Sequence, residues 1–480
     1  MLLLSGAVSA QTLARPGWAG SGLSSQTWWQ SAVLYRVDPQ SFQDSDGDGS
    51  GDLRGLALRL DYLQSIGVDA VLMDSHTNDA GFDDLLSDAS RHHIRILVQL
   101  GQQSTQAPTG EQALSEARMW LRRGVAGVYV PSSLLSVIAS RSNFQSAVSL
   151  IQQLRSVADS FPGERIVITG DSPAVDAAAS NSPRISSRSS GPQLVDGTVD
   201  ASPWDAATLR TRLVLANSPD AGEPLLEISP FPAPQPANER ILAALFLSSR
   251  GAVGLTYGQE IGLPRTASSP VMRWTPSNIT HPQPVTEAKP KEEVYGTYHP
   301  YVRPPSPSVM GSRPSMPSVA LNTESAPPPV NPDTLPGFST RPLASEGPES
   351  TSEKTANVAV EDTDPDSLLN FYRRVIDLHS SNATLRSGSV SFLNHDSEGA
   401  LVWLRRAPAG ARTVASVIVA CNLTDHPIEL SLTADLARLH IGAGTVRPLL
   451  TSRHLDHMAQ PTRALRLSPH SVYVGELYHY

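Results

Sequence analysis

Aspartates occupy alternate positions in the stretch DSDGDGSGDLRG, Asp44 to Gly55: Asp44, Asp46 and Asp48 come first, Ser50 continues the alternation, and Asp52 completes it, with glycines between. Calcium takes about six to eight oxygen ligands, and short acids alternating through a tight turn can supply them. The same spacing opens an EF-hand loop. Here Gly55 stands where such a loop needs its closing glutamate, and the preceding Val33–Val37 reads as a strand rather than a helix. The other chemistry-bearing residues are scattered. His92 and His93 are adjacent and cannot share a helix face as metal ligands. His76, with Asp74 and Asp79, falls in a polar loop that could touch a ligand. Ser132, Ser133 and Ser172 have no His/Asp partners in a triad pattern. Cys421 is the one cysteine, so there is neither an internal disulfide framework nor a cysteine metal site.

The elements that must position these residues follow from periodicity. From Val33 to about Tyr257, short apolar runs alternate with amphipathic segments. AVLYRV, VDAVLM, IRILVQL, VAGVYV and RIVITG read as strands, and the pattern recurs near Leu225 and Val253. LRGLALRLDYLQSIG, FDDLLSDASRHH, EQALSEARMWLRRG and Ser142–Ser160 read as helices. About eight such units predict a (β/α)8 barrel, residues 27–265. No glycine-rich phosphate turn follows the first strand, which argues against an open doubly wound sheet. Residues 266–364 are rich in Pro, Ser and Thr and hold 18 of the 40 prolines. They are expected to be a linker or a segment draped over the barrel, with Trp274, Tyr295, Tyr298 and Tyr301 as docking points. A helix over 365–385 follows, with Asp364 as its expected N-cap and Pro365 in its first position. Residues 386–480 alternate strand-like runs with turns, as an antiparallel β-sandwich does.

A net charge of -9 argues against nucleic acid as a partner. No apolar run is long enough to span a membrane. Residues 1–26 read as a leader: MLLLSGAVSA is apolar, and Val8 and Ala10 suit a signal-peptidase site. It lacks a basic start, so the expectation is a secreted or periplasmic protein whose signal peptide begins upstream.

Taken together, WWQSAVLYRVDPQSFQDSDGDGSGDLRGLALRLDYLQSIGVDAV resembles the opening of glycoside hydrolase family 13, in particular its α-glucosidase, oligo-1,6-glucosidase and trehalose synthase branch. AALFLSSRGAVGLTYGQEIGLP resembles that family's last barrel strand, PVMRWTPSNIT its PMQW segment, and the region from NVAVEDTD to TLRSG its barrel-closing helix. The resemblance implies a (β/α)8 barrel with a C-terminal β-sandwich. It also implies a structural calcium held by the side chains of Asp44, Asp46, Asp48 and Asp52 and the carbonyl of Ser50. Between strand three and the next helix only about ten residues are left, so the inserted domain that walls the family's cleft is expected to be missing.

The family's catalytic positions are not kept. Its nucleophile ends strand four, where this chain has Pro131, and its arginine two residues earlier is Tyr129. Its acid/base glutamate corresponds to Asp171, one methylene shorter. Gln99, Gln103 and Ser104 take the places of a strand-three Asp, Asn and His. Glu227 is the only acid near the third catalytic position, and no family role aligns with it. A retaining mechanism needs a nucleophile and a proton donor about 5 Å apart. The expectation is therefore a degenerate member without glycosidase activity that binds a glucan or a protein partner. The alternatives are a hydrolase using Asp171 with Glu227 or Asp74, and a scaffold that binds no sugar.

Overall fold

The computed structural model describes residues 27–74, 81–101, 108–142, 144–170, 192–199, 201, 204–216, 223–228, 236–263, 271–275, 338, 356–407, 414–452 and 458–479. Eight parallel strands close in sequence order into one barrel. They are β1 Val33–Val37, β2 Ala70–Asp74, β3 Arg95–Gln99, β4 Gly127–Val130, β5 Ile166–Thr169, β6 Leu194–Val199, β7 Pro224–Ile228 and β8 Ala252–Thr256. The helices between them are α1 Leu53–Leu58, α2 Leu60–Ile66, α3 Phe82–Arg91, α4 Gly110–Arg123, α5 Ser132–Arg141, α6 Phe144–Asp159, α7 Ala206–Ala216 and α8 Pro236–Leu247. Local chemistry sets their limits. Thr109 and Gln112 form a capping box at the start of α4, and Gly124 ends it in the left-handed region at φ 110.

Strand alternation sorts the side chains. Val33, Tyr35, Val37, Val128, Val130, Leu226 and Val253 face the surrounding helices. Leu34, Leu72, Leu97, Ile166, Ile168, Leu194 and Leu225 fill the barrel's interior. Trp28 and Trp29 pack against this inner cluster, their indole N–H groups donating to the Glu164 carbonyl and carboxylate. The end of the barrel opposite the catalytic face of such folds is thereby stoppered.

Among the described residues, the helices α9 Val358–Thr363, α10 Leu368–Ser381 and α11 Ala383–Ser387 lead from the barrel to the C-terminal region. The cap of α10 differs from the expectation. Ser367 accepts from the Asn370 amide, while Asp364 terminates α9. The separate α9 carries Glu361 back to this junction, where Oε2 accepts from the Leu369 amide at 2.9 Å and spends the acid on the first turn of α10. Burial, and then Glu260, push Glu361 up to about 7, against the pull of the Leu369 amide and Arg240. Because the folded state holds this proton more tightly, the stabilisation it brings is complete below the unfolded value of 4.5 and is lost as pH rises through about 7. Wild type should therefore lose melting temperature relative to Glu361→Gln across that window; parallel curves would contradict the assignment.

The C-terminal region contains β9 Ser389–Leu393, β10 Ala400–Arg406, β11 Ser416–Asn422, β12 Ile428–Leu430, helix α12 Thr433–Arg438, β13 Gly444–Thr451, β14 Gln460–Pro461, β15 Leu465–Leu467 and β16 Ser471–His479. Six strands form one antiparallel sheet, and β12 and β15 form a second. Leu401, Trp403, Val417, Val419 and Cys421 face the barrel's core. Val402, Leu404, Ile418 and Ala420 face the small sheet and α12.

The proline-rich region touches the barrel wherever it is described. Met272 donates its amide to the Ser41 carbonyl, and the Trp274 indole donates to the Phe42 carbonyl. Val358 and Ala359 donate to the carbonyls of Arg273 and Trp274. Of the four aromatic residues expected to dock, Trp274 does so; the three tyrosines lie outside the described residues. The leader also lies outside them. Among the described residues no helix is long and apolar enough to cross a membrane.

Candidate functional site at the barrel mouth

Inward-facing positions turn from apolar to polar toward the C-terminal ends of the strands. On β1 the step from Leu34 to Arg36 brings a guanidinium into the barrel. On β6 the step from Leu194 brings Asp196, and on β7 the step from Leu225 brings Glu227. On β4, Tyr129 faces inward between Val128 and Val130. Two glycines make the space. A Cβ on Gly254 would lie 2.5 Å from Glu227 Cγ, and one on Gly170 would lie 2.5 Å from the Ser132 amide nitrogen and 3.1 Å from Tyr129 Oη.

These side chains form one cluster. Arg36 Nη2 donates to Glu227 Oε1 at 2.9 Å and lies 3.6 Å from Asp196 Oδ2. Tyr129 Oη donates to Asp196 Oδ2 at 2.8 Å. The Arg36 guanidinium stacks 4.6 Å from the centre of the Tyr129 ring. Side-chain exposure is 27% for Arg36, 7% for Asp196 and 15% for Glu227, so the carboxylates lie beneath the arginine. Burial alone would lower the Arg36 pKa; Glu227, Tyr129 and Asp196 outweigh it and hold the cation above its ordinary value. Burial, then Asp196, pushes the Tyr129 hydroxyl up and keeps it a donor.

Pro131 follows β4 directly, one inward step beyond Tyr129, and serves as the N-cap residue of α5. Nothing on it can attack a sugar carbon. Gln99 is buried at the end of β3, paired in register with Asp74. Asp171, His76, Asp79, Gln103, Ser104 and Ser172 lie outside the described residues. Ser132 and Ser133 start α5. His92 lies beside Gln64 and Asp61. Glu227, which the sequence left without a role, is tied to Arg36. Asp196 and Arg36 were not recognised as site residues, although a charged residue in phase with the inward apolar positions of a strand is the signal that finds both.

The acidic loop sits apart from this mouth, between β1 and α1. Asp44 is fully buried; Oδ1 accepts the amides of Asp46 and Gly47, and Oδ2 that of Gly49. Asp44, Asp46 and Asp48 each offer an oxygen, all within 4.8 Å of one another. Three converging carboxylates fit the donor set of a hard divalent cation. Asp52 lies outside this trio. It caps α1 by accepting from the Gly55 amide at 2.7 Å and from Ser45 Oγ and N at 2.9 Å. Ser50 is exposed at the tip of the turn, its amide bonded to Asp48.

Residues 36–85 match the alpha-amylase catalytic-domain family model. The glucan 1,6-alpha-glucosidase of Streptococcus pneumoniae is 36% identical over 97 residues, 16% of this chain and 18% of that protein. The oligo-1,6-glucosidase of Parageobacillus thermoglucosidasius is 47% identical over 62 residues, 12% of this chain and 11% of that protein. The matched stretch thus spans under a fifth of these relatives' length. Among solved structures, the trehalulose synthase MutB of Pseudomonas mesoacidophila superposes with a TM-score of 0.67 at 15% identity, covering 95% of this chain and 100% of that one. The isomaltulose synthase SmuA of Protaminobacter rubrum gives 0.66 at 14% identity, covering 95% of this chain and 100% of that one. At such identities the likeness is one of fold.

Proposed function

We propose that this chain, which matches the alpha-amylase catalytic-domain model over residues 36–85, is a non-catalytic member of glycoside hydrolase family 13, the α-amylase superfamily, that binds an α-glucan or a protein partner at its barrel rim. The observation that carries this reading is the mouth cluster. A retaining mechanism needs one carboxylate free to attack and one carboxylic acid free to donate, about 5 Å apart across the glycosidic bond. Strand four is followed directly by Pro131. Among the described residues, the carboxylates that line the mouth, Asp196 and Glu227, both face Arg36, with Glu227 hydrogen-bonded to it. The guanidinium also covers the buried Tyr129 ring. A ligand is therefore expected on the rim, not inside the mouth.

The names of the matched relatives, glucan 1,6-alpha-glucosidase and oligo-1,6-glucosidase, make an α-1,6-linked glucan the first ligand to test. Retention on immobilised dextran, released by soluble isomaltooligosaccharide, supports the glucan arm. No retention on dextran or starch rejects it and leaves the protein-partner arm. A second reading, an active hydrolase, is favoured by the presence of two carboxylates in one barrel mouth; it requires turnover that disappears in Glu227→Gln.

A structural calcium at Asp44, Asp46 and Asp48 belongs to the same proposal. These carboxylates would hold the ion, which supplies charge neutralisation and rigidity to the loop, while Asp52 fixes the start of α1. Secretion, suggested by the apolar leader, is the compartment that suits a calcium-dependent fold.

A further inference from the structure

Phe338, from the region rich in proline, is buried at 8% exposure, and its carbonyl is gripped twice by the acidic loop's own base. The Asp44 amide donates to it at 2.9 Å and Gln43 Nε2 donates at 2.8 Å. Gln43 is itself fully buried, its Nε2 also reaching the Asp44 carbonyl and its Oε1 accepting from Arg59 Nε at 2.7 Å. The Arg59 guanidinium lies 3.9 Å from the ring centre of Trp274, whose indole N–H donates to the Phe42 carbonyl. Two separate points of the proline-rich region, Trp274 and Phe338, therefore converge on the segment Phe42–Asp44, and one residue, Asp44, serves both sides: its amide holds Phe338 and its carboxylate belongs to the acidic trio.

We propose that the acidic loop is a cation-dependent docking point for the proline-rich region: a divalent cation at Asp44, Asp46 and Asp48 and the seating of Phe338 reinforce each other. The proposal rests on the calcium reading given above. A cation drawn to the Asp44 carboxylate fixes the loop backbone and so presents the Asp44 amide to Phe338. Conversely, an unseated Phe338 withdraws the carbonyl that the Asp44 amide and Gln43 Nε2 share, and the loop must rearrange to replace it. Linkage makes the effect reciprocal: whatever the cation adds to docking, docking adds to cation affinity.

The experiment is a calcium titration by calorimetry on the full chain, as wild type, Phe338→Ala and Gln43→Met, with circular dichroism to establish that each is folded. Phe338→Ala removes the anchoring ring; Gln43→Met removes the side-chain donor at similar volume and carries the test if the first variant does not fold. The expected result is calcium binding by wild type, weakened about fivefold or more in the folded variants. In addition, calcium should slow proteolysis around residue 338 in wild type and protect less in the variants. Wild-type binding with affinities within about twofold across all folded proteins would overturn the coupling while leaving the calcium site standing. No wild-type binding would overturn both.

Discussion

Replacing Arg36 with alanine is expected to destabilise the fold by about 3 kcal/mol, the cost of stranding a buried charge partner. Asp196 and Glu227 are 7% and 15% exposed and face the same guanidinium. Without it, two like charges remain in a barrel interior otherwise lined by Leu34, Leu72, Leu97 and Ile168, where water cannot fully compensate them. The loss should therefore lie in the carboxylates and not in the missing arginine atoms. Adding Asp196→Asn and Glu227→Gln to Arg36→Ala should recover more than half of the loss, a strong departure from additivity that denaturant unfolding can read directly. A cost for Arg36→Ala below about 0.5 kcal/mol, the range of ordinary surface changes, would mean that the cluster does not hold the mouth together.

Arg405→Ala is expected to cost about 3 kcal/mol or more, for a different reason. Arg405 is fully buried, and burial pushes its guanidinium down to about 9, so it remains a cation at neutral pH. Nη1 donates to the carbonyls of Ser248 and Ser249 at 2.6 and 2.5 Å, just beyond the end of α8, and Nη2 donates to the Gly388 carbonyl at 3.0 Å. The last carbonyls of a helix have no intrahelical partners and carry the negative end of its dipole. Arg405 satisfies them across the contact between the barrel and the C-terminal sheet, beside Trp403, which reaches the same Ser248 carbonyl. Arg405→Met, which refills the space without donors, separates lost packing from lost hydrogen bonds. If the donors matter, methionine should recover only a minor part of the loss in melting temperature. Full recovery by methionine would assign the residue to packing alone.

The parts legible in the sequence are those whose information is local. The acidic loop writes its ligands into consecutive residues, and seven of the eight barrel strands announce themselves as short apolar runs. The missed strand, β6, reads LVDGTV; a charge and a glycine interrupt its run, and that charge is Asp196, a member of the site. Helix α5 was missed because it starts immediately after Pro131 and is nearly continuous with α6. The mouth cluster itself could not be assembled from periodicity. Arg36 and Glu227 are 191 residues apart, and they meet only because the sheet closes β7 onto β8 and β8 onto β1. The Phe338 contact was equally silent: its anchor is a main-chain carbonyl, which no side-chain pattern records.

The central claim is that Arg36 occupies, and Pro131 disables, the place where a glycosidase would do its chemistry. Its most direct test is the turnover of isomaltose, maltose and a nitrophenyl α-glucoside by the wild-type protein, measured alongside Glu227→Gln, Asp196→Asn and Asp171→Asn. The predicted result is no turnover above buffer for any of the four proteins. Wild-type hydrolysis that disappears in one of the carboxylate variants would contradict it.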